Sequence, residues 1–201
     1  KEMYNKTHIL PNSVSDKLFI IDYNPQNNKL LFVGIFTGEY GKRINWFIDH
    51  VWEKIQKLQQ SISMTIVGRK ADTVLKKKFL QKDINHIEYI ENIEQVYRNS
   101  GIFIAPIFKG FGLITKVIEA MASGLIVIGD ETAFNGIEGF VNMEHGIIAN
   151  TATKFIEMIT LVVSNVENFA FIRFNARNLI KKQFSLKDQI KKVETIISDN
   201  S

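Results

Sequence analysis

The chain has 201 residues, of which 45% are apolar, which is enough for one folded domain with a sizeable buried core. Its formal net charge of +4 is a mild excess, and no arginine-rich run with interleaved aromatics accompanies it, so we expect no nucleic acid as a partner. The absence of cysteine excludes disulfides and thiolate metal sites, and the four histidines are scattered without ligand spacing. We therefore expect neither a metal ion nor a bound cofactor.

Membrane insertion is not predicted either. No apolar run approaches the roughly 20 residues that a membrane-spanning helix needs, and no secretory signal opens the chain. We therefore expect a cytoplasmic protein. Residues 1–28 are polar and contain Pro11 and Pro25, which is typical of a lead-in rather than of a folded core.

After this lead-in, short apolar runs alternate with helical patterns. The predicted strands are 30–33, 64–67, 86–90, 102–105 and 125–128, with 146–149 as a sixth. The predicted helices are 43–60, 70–82, 92–99, 113–123, 151–164, 168–182 and 186–198. Strands that are apolar throughout and alternate with helices predict a parallel sheet covered on both faces. We therefore predict a Rossmann-like, doubly wound α/β domain of about six strands, with C-terminal helices from about residue 168.

Ligands in such sheets bind at the carboxyl ends of the strands, which directs attention to the loops there. The first loop, 34–43, contains three glycines and ends in Lys42 and Arg43, close to the predicted start of a helix. Cations at a helix N-terminus oppose the helix dipole, and an anionic ligand would relieve that cost. The alternative is a mobile turn with two surface cations, and the sequence leaves both open.

The loop at 108–112 contains Gly110 and Gly112 and leads into a helix that carries Lys116. A glycine-rich turn before a helix N-terminus offers free backbone N–H groups to a pyrophosphate. Thr115 stands where a dinucleotide fingerprint has its third glycine, and the loop follows the fourth strand rather than the first. Both facts argue against a nicotinamide-dependent oxidoreductase.

Glu119 lies among apolar residues two turns into the same helix, where an unpaired carboxylate would be costly. It is placed to accept hydrogen bonds from a ribose diol. The alternative is a plain i,i+3 ion pair with Lys116, which composition alone favours.

The segments 105–106, 110–112 and 116–124 read Ala-Pro, Gly-Phe-Gly and Lys-Val-Ile-Glu-Ala-Met-Ala-Ser-Gly. Together they resemble the C-terminal, donor-binding domain of family-4 glycosyltransferases, which are retaining enzymes with the GT-B fold. Shorter matches to that family occur at 9–12, 66–68, 136–139 and 175–177. The resemblance therefore extends over nearly the whole chain.

This resemblance implies a site for a nucleotide-diphospho-sugar at the carboxyl edge of the sheet. Glu119 matches the family glutamate that binds the ribose hydroxyls. Gly110, Phe111 and Gly112 match the loop whose backbone faces the sugar and the diphosphate. Lys116 is expected to help neutralise the charge of the leaving group.

Further contacts are implied at the other loops. Lys42 or Arg43 matches the basic residue that contacts the diphosphate, and Arg69 is a weaker cationic candidate. Ile90 and Glu91 fall where family members contact the base.

The sequence departs from the family pattern next to the expected position of the donor sugar. Many members carry glutamate at the position of Phe111, and a subset carries Thr-Arg where this chain has Leu113 and Ile114. The contacts to the sugar must therefore differ, and no residue of this chain is assigned a catalytic role.

A GT-B enzyme also needs an N-terminal domain that carries the acceptor site, so we expect residues 1–28 to be an interdomain linker and 29–201 the donor domain. The chain alone is then expected to be inactive. The full enzyme would transfer a sugar in bacterial polysaccharide or glycoconjugate biosynthesis, with peripheral association at the inner face of the membrane. Two alternatives stay open, a degenerate interaction module without catalysis and a sugar-nucleotide epimerase of the same architecture.

Overall fold

The computed structural model describes residues 12–20, 26, 28–59, 61–109 and 112–198. Its strands form one six-stranded sheet in the order β3-β2-β1-β4-β5-β6, and every neighbouring pair is parallel. The strands are β1 Lys29–Val33, β2 Ser63–Val67, β3 Ile84–Ile87, β4 Ile102–Ala105, β5 Ile126–Gly129 and β6 Ile147–Ile148. The predicted doubly wound, Rossmann-like fold is confirmed.

Helices cover both faces of this sheet. The described helices are α1 Asp16–Phe19, α2 Glu39–Phe47, α3 Glu53–Leu58, α4 Thr73–Gln81, α5 Ile93–Arg98, α6 Thr115–Ala122, α7 Ala152–Ser164, α8 Ala170–Phe184 and α9 Leu186–Ser198. A π-helical segment, Ile48–Trp52, joins α2 to α3, and short 3-10 segments occur at Glu131–Phe134 and Val166–Phe169.

Successive residues of the central strand β1 face opposite sides of the sheet and so build two separate cores. Leu30 and Phe32 belong to one core cluster, which includes Phe47 of α2. Leu31 belongs to the other cluster, which includes Val117 of α6. This alternation explains why the strand is apolar throughout, since both of its faces are buried.

Two predicted boundaries at the carboxyl edge differ from the structure. β3 ends at Ile87 rather than at residue 90, because its pairing with β2 ends where Val67 faces Ile87. The first long helix starts at Glu39 rather than at residue 43, directly after Gly38, whose φ of 54° turns the chain into the helix. The loop after β3 is therefore longer than predicted, and the loop after β1 is shorter.

The described part of the lead-in packs on the domain. The backbone N–H of Val14 donates to the carbonyl oxygen of Phe184 at 2.7 Å, and Leu18 and Phe19 of α1 are buried in the same core cluster as α6. Residues 1–11 and 21–25 lie outside the described residues, so the interdomain linker stays a prediction.

Among the described residues, no single helix is long and apolar enough to cross a membrane. Two consecutive segments, Ala152–Ser164 and Glu167–Phe184, meet the criteria of length and composition only when taken together, and they are bent by 114° relative to each other.

Candidate functional site

A cavity of about 640 Å³ lies at the carboxyl edge of the sheet, where β1 and β4 are neighbours. The helices that follow these two strands, α2 and α6, pack on opposite faces of the sheet. Open α/β sheets bind ligands at such a switch point, since the two chains diverge there and leave a crevice. The walls come from the loops after β1, β2 and β3, from the end of β4 and from the N-terminus of α6.

Backbone forms much of the wall between β1 and β2. The N–H of Gly34 donates to Val67 at 3.0 Å, and the N–H of Gly68 donates to Ile87 at 2.9 Å, so each loop extends the hydrogen bonding of its strand. A Cβ atom added at Gly68 would overlap the carbonyl oxygen of Gly34. Glycine at residue 68 therefore permits the two loops to approach closely.

The N-terminus of α6 opens onto the cavity. Ile114 stands at the N-cap and makes no side-chain capping bond, and Ile114, Thr115 and Lys116 all line the cavity. Within the described part of the chain, nothing accepts a hydrogen bond from the backbone N–H groups of Thr115 and Lys116. Free N–H groups and the positive end of the helix dipole make this end suited to an anion.

Glu119 lies one turn further along α6 and is connected to the cavity wall through Lys116. Its Oε2 accepts hydrogen bonds from Lys116 Nζ at 2.7 Å and from the Tyr97 hydroxyl at 2.9 Å. The predicted i,i+3 ion pair is therefore present, with 18% of the Glu119 side chain exposed. Oε1 accepts no hydrogen bond from the residues that the structure describes.

The opposite end of the cavity is lined by Arg69, Tyr89 and Ile90. The guanidinium carbon of Arg69 lies 4.4 Å from the centroid of the Tyr89 ring, within the range of a cation–π contact. Glu91 is exposed and does not line the cavity. The structure thus brings two of the predicted residues here, Arg69 and Ile90, and adds Tyr89.

Lys42 and Arg43 line a neighbouring pocket rather than this cavity. Gly112 is exposed with a φ of 72°, a conformation that glycine adopts without strain. The predicted contacts of Gly110 and Phe111 lie outside the described residues. The two cations on the wall of the larger cavity are Arg69 and Lys116, as far as the described residues show.

Asp130 is a positioning residue that the sequence reasoning missed. It follows β5, is only 3% exposed, and its Oδ2 accepts hydrogen bonds from the backbone N–H groups of Ile107 and Phe108. Its Oδ1 accepts one from Thr132 at 2.9 Å. The carboxylate therefore holds the loop after β4 in place. An aspartate directly after a buried strand is the sequence feature that could have indicated this role.

Comparison with known proteins identifies the family. The family described as glycosyl transferases group 1 matches residues 27–165, which include all the strands and the whole carboxyl edge. The chain belongs to this family. The match extends through the loops and helices that build the cavity, so the cavity belongs to a glycosyltransferase domain.

Two curated relatives are similar in sequence to this group 1 domain over most of its length. One is an uncharacterized 44.6 kDa protein in the cps region of Klebsiella pneumoniae, 27% identical over 174 residues, or 82% of this chain and 45% of the relative. The other is an uncharacterized glycosyltransferase of Methanocaldococcus jannaschii, 24% identical over 180 residues, or 84% of this chain and 44% of the relative. The chain thus spans less than half the length of either relative.

Solved glycosyltransferases share the fold of the domain. HepE from Anabaena, solved in complex with UDP and glucose, aligns with a TM-score of 0.76 and 12% identity over 96% of this chain and 56% of that protein. The C-terminal domain of the group 1 protein LpcC from Francisella tularensis aligns with a TM-score of 0.70 and 19% identity over 86% of this chain and 99% of that domain. At these identities the likeness shows that the domain has the fold of one half of a GT-B enzyme.

Proposed function

We propose that the cavity binds the nucleoside diphosphate of a nucleotide sugar, and that this chain is the donor-binding part of a glycosyltransferase. The observation that carries the proposal is the uncapped N-terminus of α6, which faces the cavity at the switch point with Lys116 beside it. A diphosphate is the ligand whose charge and oxygens match this end of the helix. Solved relatives in the fold comparison contain UDP with glucose or with GlcNAc, which supports the same class of ligand.

The described residues contact three parts of the proposed ligand, which are the diphosphate, the ribose and the base. Thr115 and Lys116 face the diphosphate, through their backbone N–H groups and the ammonium group of Lys116. Glu119 receives a ribose hydroxyl on Oε1, while Tyr97 and Lys116 hold its other oxygen. The base then lies toward Ile90, in the part of the cavity that Arg69 and Tyr89 line.

In the transfer reaction the bond between the anomeric carbon and the diphosphate breaks, and negative charge develops on the leaving oxygen. Preorganised N–H groups, a helix dipole and a nearby cation stabilise such charge when they already point at it. The α6 N-terminus and Lys116 supply all three. The proposal needs no nucleophile from this chain.

We further propose that the full enzyme is a retaining family-4 glycosyltransferase of polysaccharide or glycoconjugate biosynthesis. It acts in the cytoplasm, at the inner face of the membrane. Its support is the motif at 116–124 and the relative named for its place in a cps region. The acceptor site is assigned to a domain outside this chain, in line with the partial coverage of both curated relatives.

Calorimetric titration with UDP-glucose, GDP-mannose and ADP-glucose tests the donor site. We expect one of the three to bind, and Glu119→Gln to weaken the binding of that ligand by about tenfold or more, because an uncharged amide oxygen replaces the charged carboxylate as acceptor. Glu157→Gln is the matched control, since Glu157 also pairs with a lysine at i,i+3, 3.0 Å from Lys154, on the exposed surface of α7.

Two results would contradict the donor site. One is the absence of binding by all three nucleotide sugars at millimolar concentration in a folded sample. The other is an equal affinity of the Glu119→Gln and Glu157→Gln variants for the ligand that binds. A conversion of the bound donor into its sugar epimer would favour the epimerase alternative instead.

A further inference from the structure

Arg69 lies at the end of the nucleotide cavity where the base is proposed to bind. It comes two residues after the end of β2, and it lines the cavity together with Tyr89 and Ile90 from the loop after β3. The other cation on the cavity wall, among the residues that the structure describes, is Lys116 at the N-terminus of α6. Arg69 is therefore the cation on the side of the base, whereas Lys116 stands at the diphosphate end.

The backbone around Arg69 is fixed by residues of two other strands and their loops. The Arg69 carbonyl oxygen accepts a hydrogen bond from the backbone N–H of Phe36, in the loop after β1, at 3.0 Å. The carbonyl oxygen of Gly68 lies 3.0 Å from Nε2 of His86 in β3, and this nitrogen is the donor because a carbonyl only accepts. Lys70 follows with a φ of 67°, a left-handed conformation that is uncommon outside glycine. These features fix the Arg69 backbone at the rim of the cavity.

His86 connects this loop to the hydrophobic core. Its ring centroid lies 4.9 Å from that of Phe79 in α4 and 5.8 Å from that of Phe36. Both phenylalanines are buried, and His86 itself does not line the cavity. His86 can therefore act on a ligand only through the loop that carries Arg69.

The side chain of Arg69 is oriented by an aromatic ring. Its guanidinium carbon lies 4.4 Å from the centroid of the Tyr89 ring. A guanidinium over a ring face can still use its N–H donors, because they lie at the edge of the planar group. Arginine has five such donors and no acceptor. The base end of the cavity therefore presents a fork of hydrogen-bond donors.

The nucleobases differ in what they present to such a fork. Uracil and guanine carry a carbonyl oxygen, O4 and O6, at the ring position where cytosine and adenine carry an amino group. The carbonyl oxygen accepts from arginine, and guanine offers N7 as a second acceptor beside it. An amino group is itself a donor, so it would leave the arginine N–H group unpaired.

One acceptor also lines this end of the cavity. Glu88 pairs with Lys76 of α4 through Oε1, and 57% of the Glu88 side chain is exposed. Because this carboxylate already has a charged partner and is open to water, exchanging water for a base amino group gains little. The discrimination between bases is therefore assigned to Arg69.

We propose that Arg69 selects the base of the donor, so that the chain prefers uridine or guanosine diphosphate sugars to those of adenosine or cytidine. An N–H group of Arg69 donates to O4 of uracil or to O6 of guanine, while Tyr89 keeps the guanidinium in place. His86 is a positioning residue that acts through the Gly68 carbonyl oxygen. The inference rests on the proposed donor site and adds the class of base that this site accepts.

Calorimetric titration of the 201-residue chain with UDP, GDP, ADP and CDP tests this selection, since the four ligands share the ribose and the diphosphate. We expect UDP or GDP to bind about tenfold or more tightly than ADP and CDP, because the amino bases leave the arginine donors unpaired. Arg69→Ala should weaken the preferred nucleotide to the level of ADP and abolish the preference. Arg69→Lys keeps the charge but lacks the planar fork, and it should also reduce the preference.

Two further variants separate positioning from general stability. His86→Phe keeps a ring between Phe36 and Phe79 but loses the donor to Gly68, so we expect a partial loss of the preference. His86→Gln, whose amide also donates, should restore part of it, whereas a merely structural role would change all four affinities by the same factor. Arg98→Ala, which removes an exposed arginine of α5 outside the cavity, should change neither affinity nor preference.

Three results would overturn the inference while leaving the donor site intact. They are binding of ADP or CDP as tight as that of UDP and GDP, equal weakening of all four nucleotides by Arg69→Ala, and loss of the preference in Glu88→Gln but not in Arg69→Ala. The second result would assign Arg69 to the diphosphate, and the third would assign the selection to the carboxylate. No binding by any of the four nucleotides at millimolar concentration would instead contradict the donor site itself, and the inference would fall with it.

Discussion

Tyr97 is the residue whose titration is most clearly altered by the fold. Its ring is fully buried, and its hydroxyl donates to Glu119 Oε2 at 2.9 Å. Burial raises the pKa of Tyr97 well above its ordinary value of 10.0, and the nearby Glu119 carboxylate raises the pKa further. The folded chain therefore holds this proton more tightly than the unfolded chain does.

The first prediction concerns stability at high pH. A raised folded-state pKa stabilises the fold fully below the unfolded pKa of about 10, and this contribution is lost as pH rises above that value toward the folded pKa. We expect Tyr97→Phe to reduce the fall in unfolding free energy above about pH 10, and to cost about 1 to 2 kcal/mol at neutral pH through the lost hydrogen bond. Urea denaturation across this pH range measures both effects.

The control for this prediction is Tyr89→Phe, because Tyr89 is 64% exposed. It should keep the pH dependence of the parent chain. An unchanged alkaline slope in Tyr97→Phe would contradict the raised pKa of Tyr97.

The second prediction concerns Asp130, whose carboxylate holds the backbone of Ile107 and Phe108. We expect Asp130→Asn to cost about 1 to 3 kcal/mol, because the asparagine oxygen replaces a charged acceptor of several N–H groups. The same variant should weaken binding of the nucleotide sugar, since Ile107, which lines the nucleotide cavity, would lose part of its support. Thermal denaturation and the calorimetric titration measure the two effects.

Asp72→Asn is the matched control, since Asp72 caps α4 by accepting from Leu75 N–H at 2.7 Å, outside the nucleotide cavity. It should lower stability without changing ligand binding. If Asp130→Asn destabilises the chain but binds as the parent does, the loop does not depend on this carboxylate.

At the level of secondary structure, the two ends of α6 have different surroundings. Its N-terminus faces the cavity, and its C-terminus is capped by Arg177 of α8, which donates to Ala122 O at 3.0 Å and to Ser123 O at 2.9 Å. Gly124 follows with a φ of 82°, the usual left-handed glycine after a helix. The C-terminal helices thus fix the helix that carries Lys116 and Glu119.

The third prediction tests this anchoring. A Cβ atom at Gly124 would lie 2.6 Å from Arg177 Nη2, and its φ of 82° disfavours any side chain. We expect Gly124→Ala to cost more than the roughly 1 to 2 kcal/mol that a left-handed conformation alone costs, because the capping guanidinium must also move. Chemical denaturation measures the loss.

Gly139→Ala separates the two causes, since Gly139 has a φ of 70° but its Cβ would meet only Leu179 Cδ1 at 3.8 Å. It should show the conformational cost alone. Equal losses in the two alanine variants would mean that the cap by Arg177 adds nothing.

At the scale of the whole molecule, the domain has one functional edge. The nucleotide cavity and the loop that Asp130 supports both lie at the carboxyl ends of the strands. The curated relatives are more than twice as long as the part that this chain matches. A second domain facing this edge would enclose the nucleotide cavity and exclude water from the transferred sugar.

The fourth prediction follows from that arrangement. We expect the 201-residue chain to bind a nucleotide sugar without turning it over, because nothing in the proposal supplies an acceptor site or a nucleophile from this chain. Proton NMR of the donor over hours in the presence of the chain measures release of the nucleoside diphosphate. Rapid hydrolysis or transfer would show that this half is catalytically sufficient.

Much of this architecture follows from the pattern of residues along the chain. The order of strands and helices could be predicted because buried parallel strands are apolar on both faces and alternate with amphipathic helices. Strand β4 was placed at 102–105 as observed, since Pro106 follows it directly. The end of β3 could not be placed, because it depends on where the neighbouring strand stops pairing.

The candidate site, like the fold, could be predicted from the sequence only in part. The pattern of residues alone predicts a doubly wound domain of a glycosyltransferase, with Lys116 and Glu119 on the helix after the fourth strand. The folded arrangement was needed to show that Arg69 lines the same cavity as Lys116, whereas Arg43 reaches Lys109 and lines another pocket. The physical reason is that these pairs lie tens of residues apart in the chain. Their distances are set by how α2 and the loop after β4 pack at the sheet edge, and no local pattern records that packing.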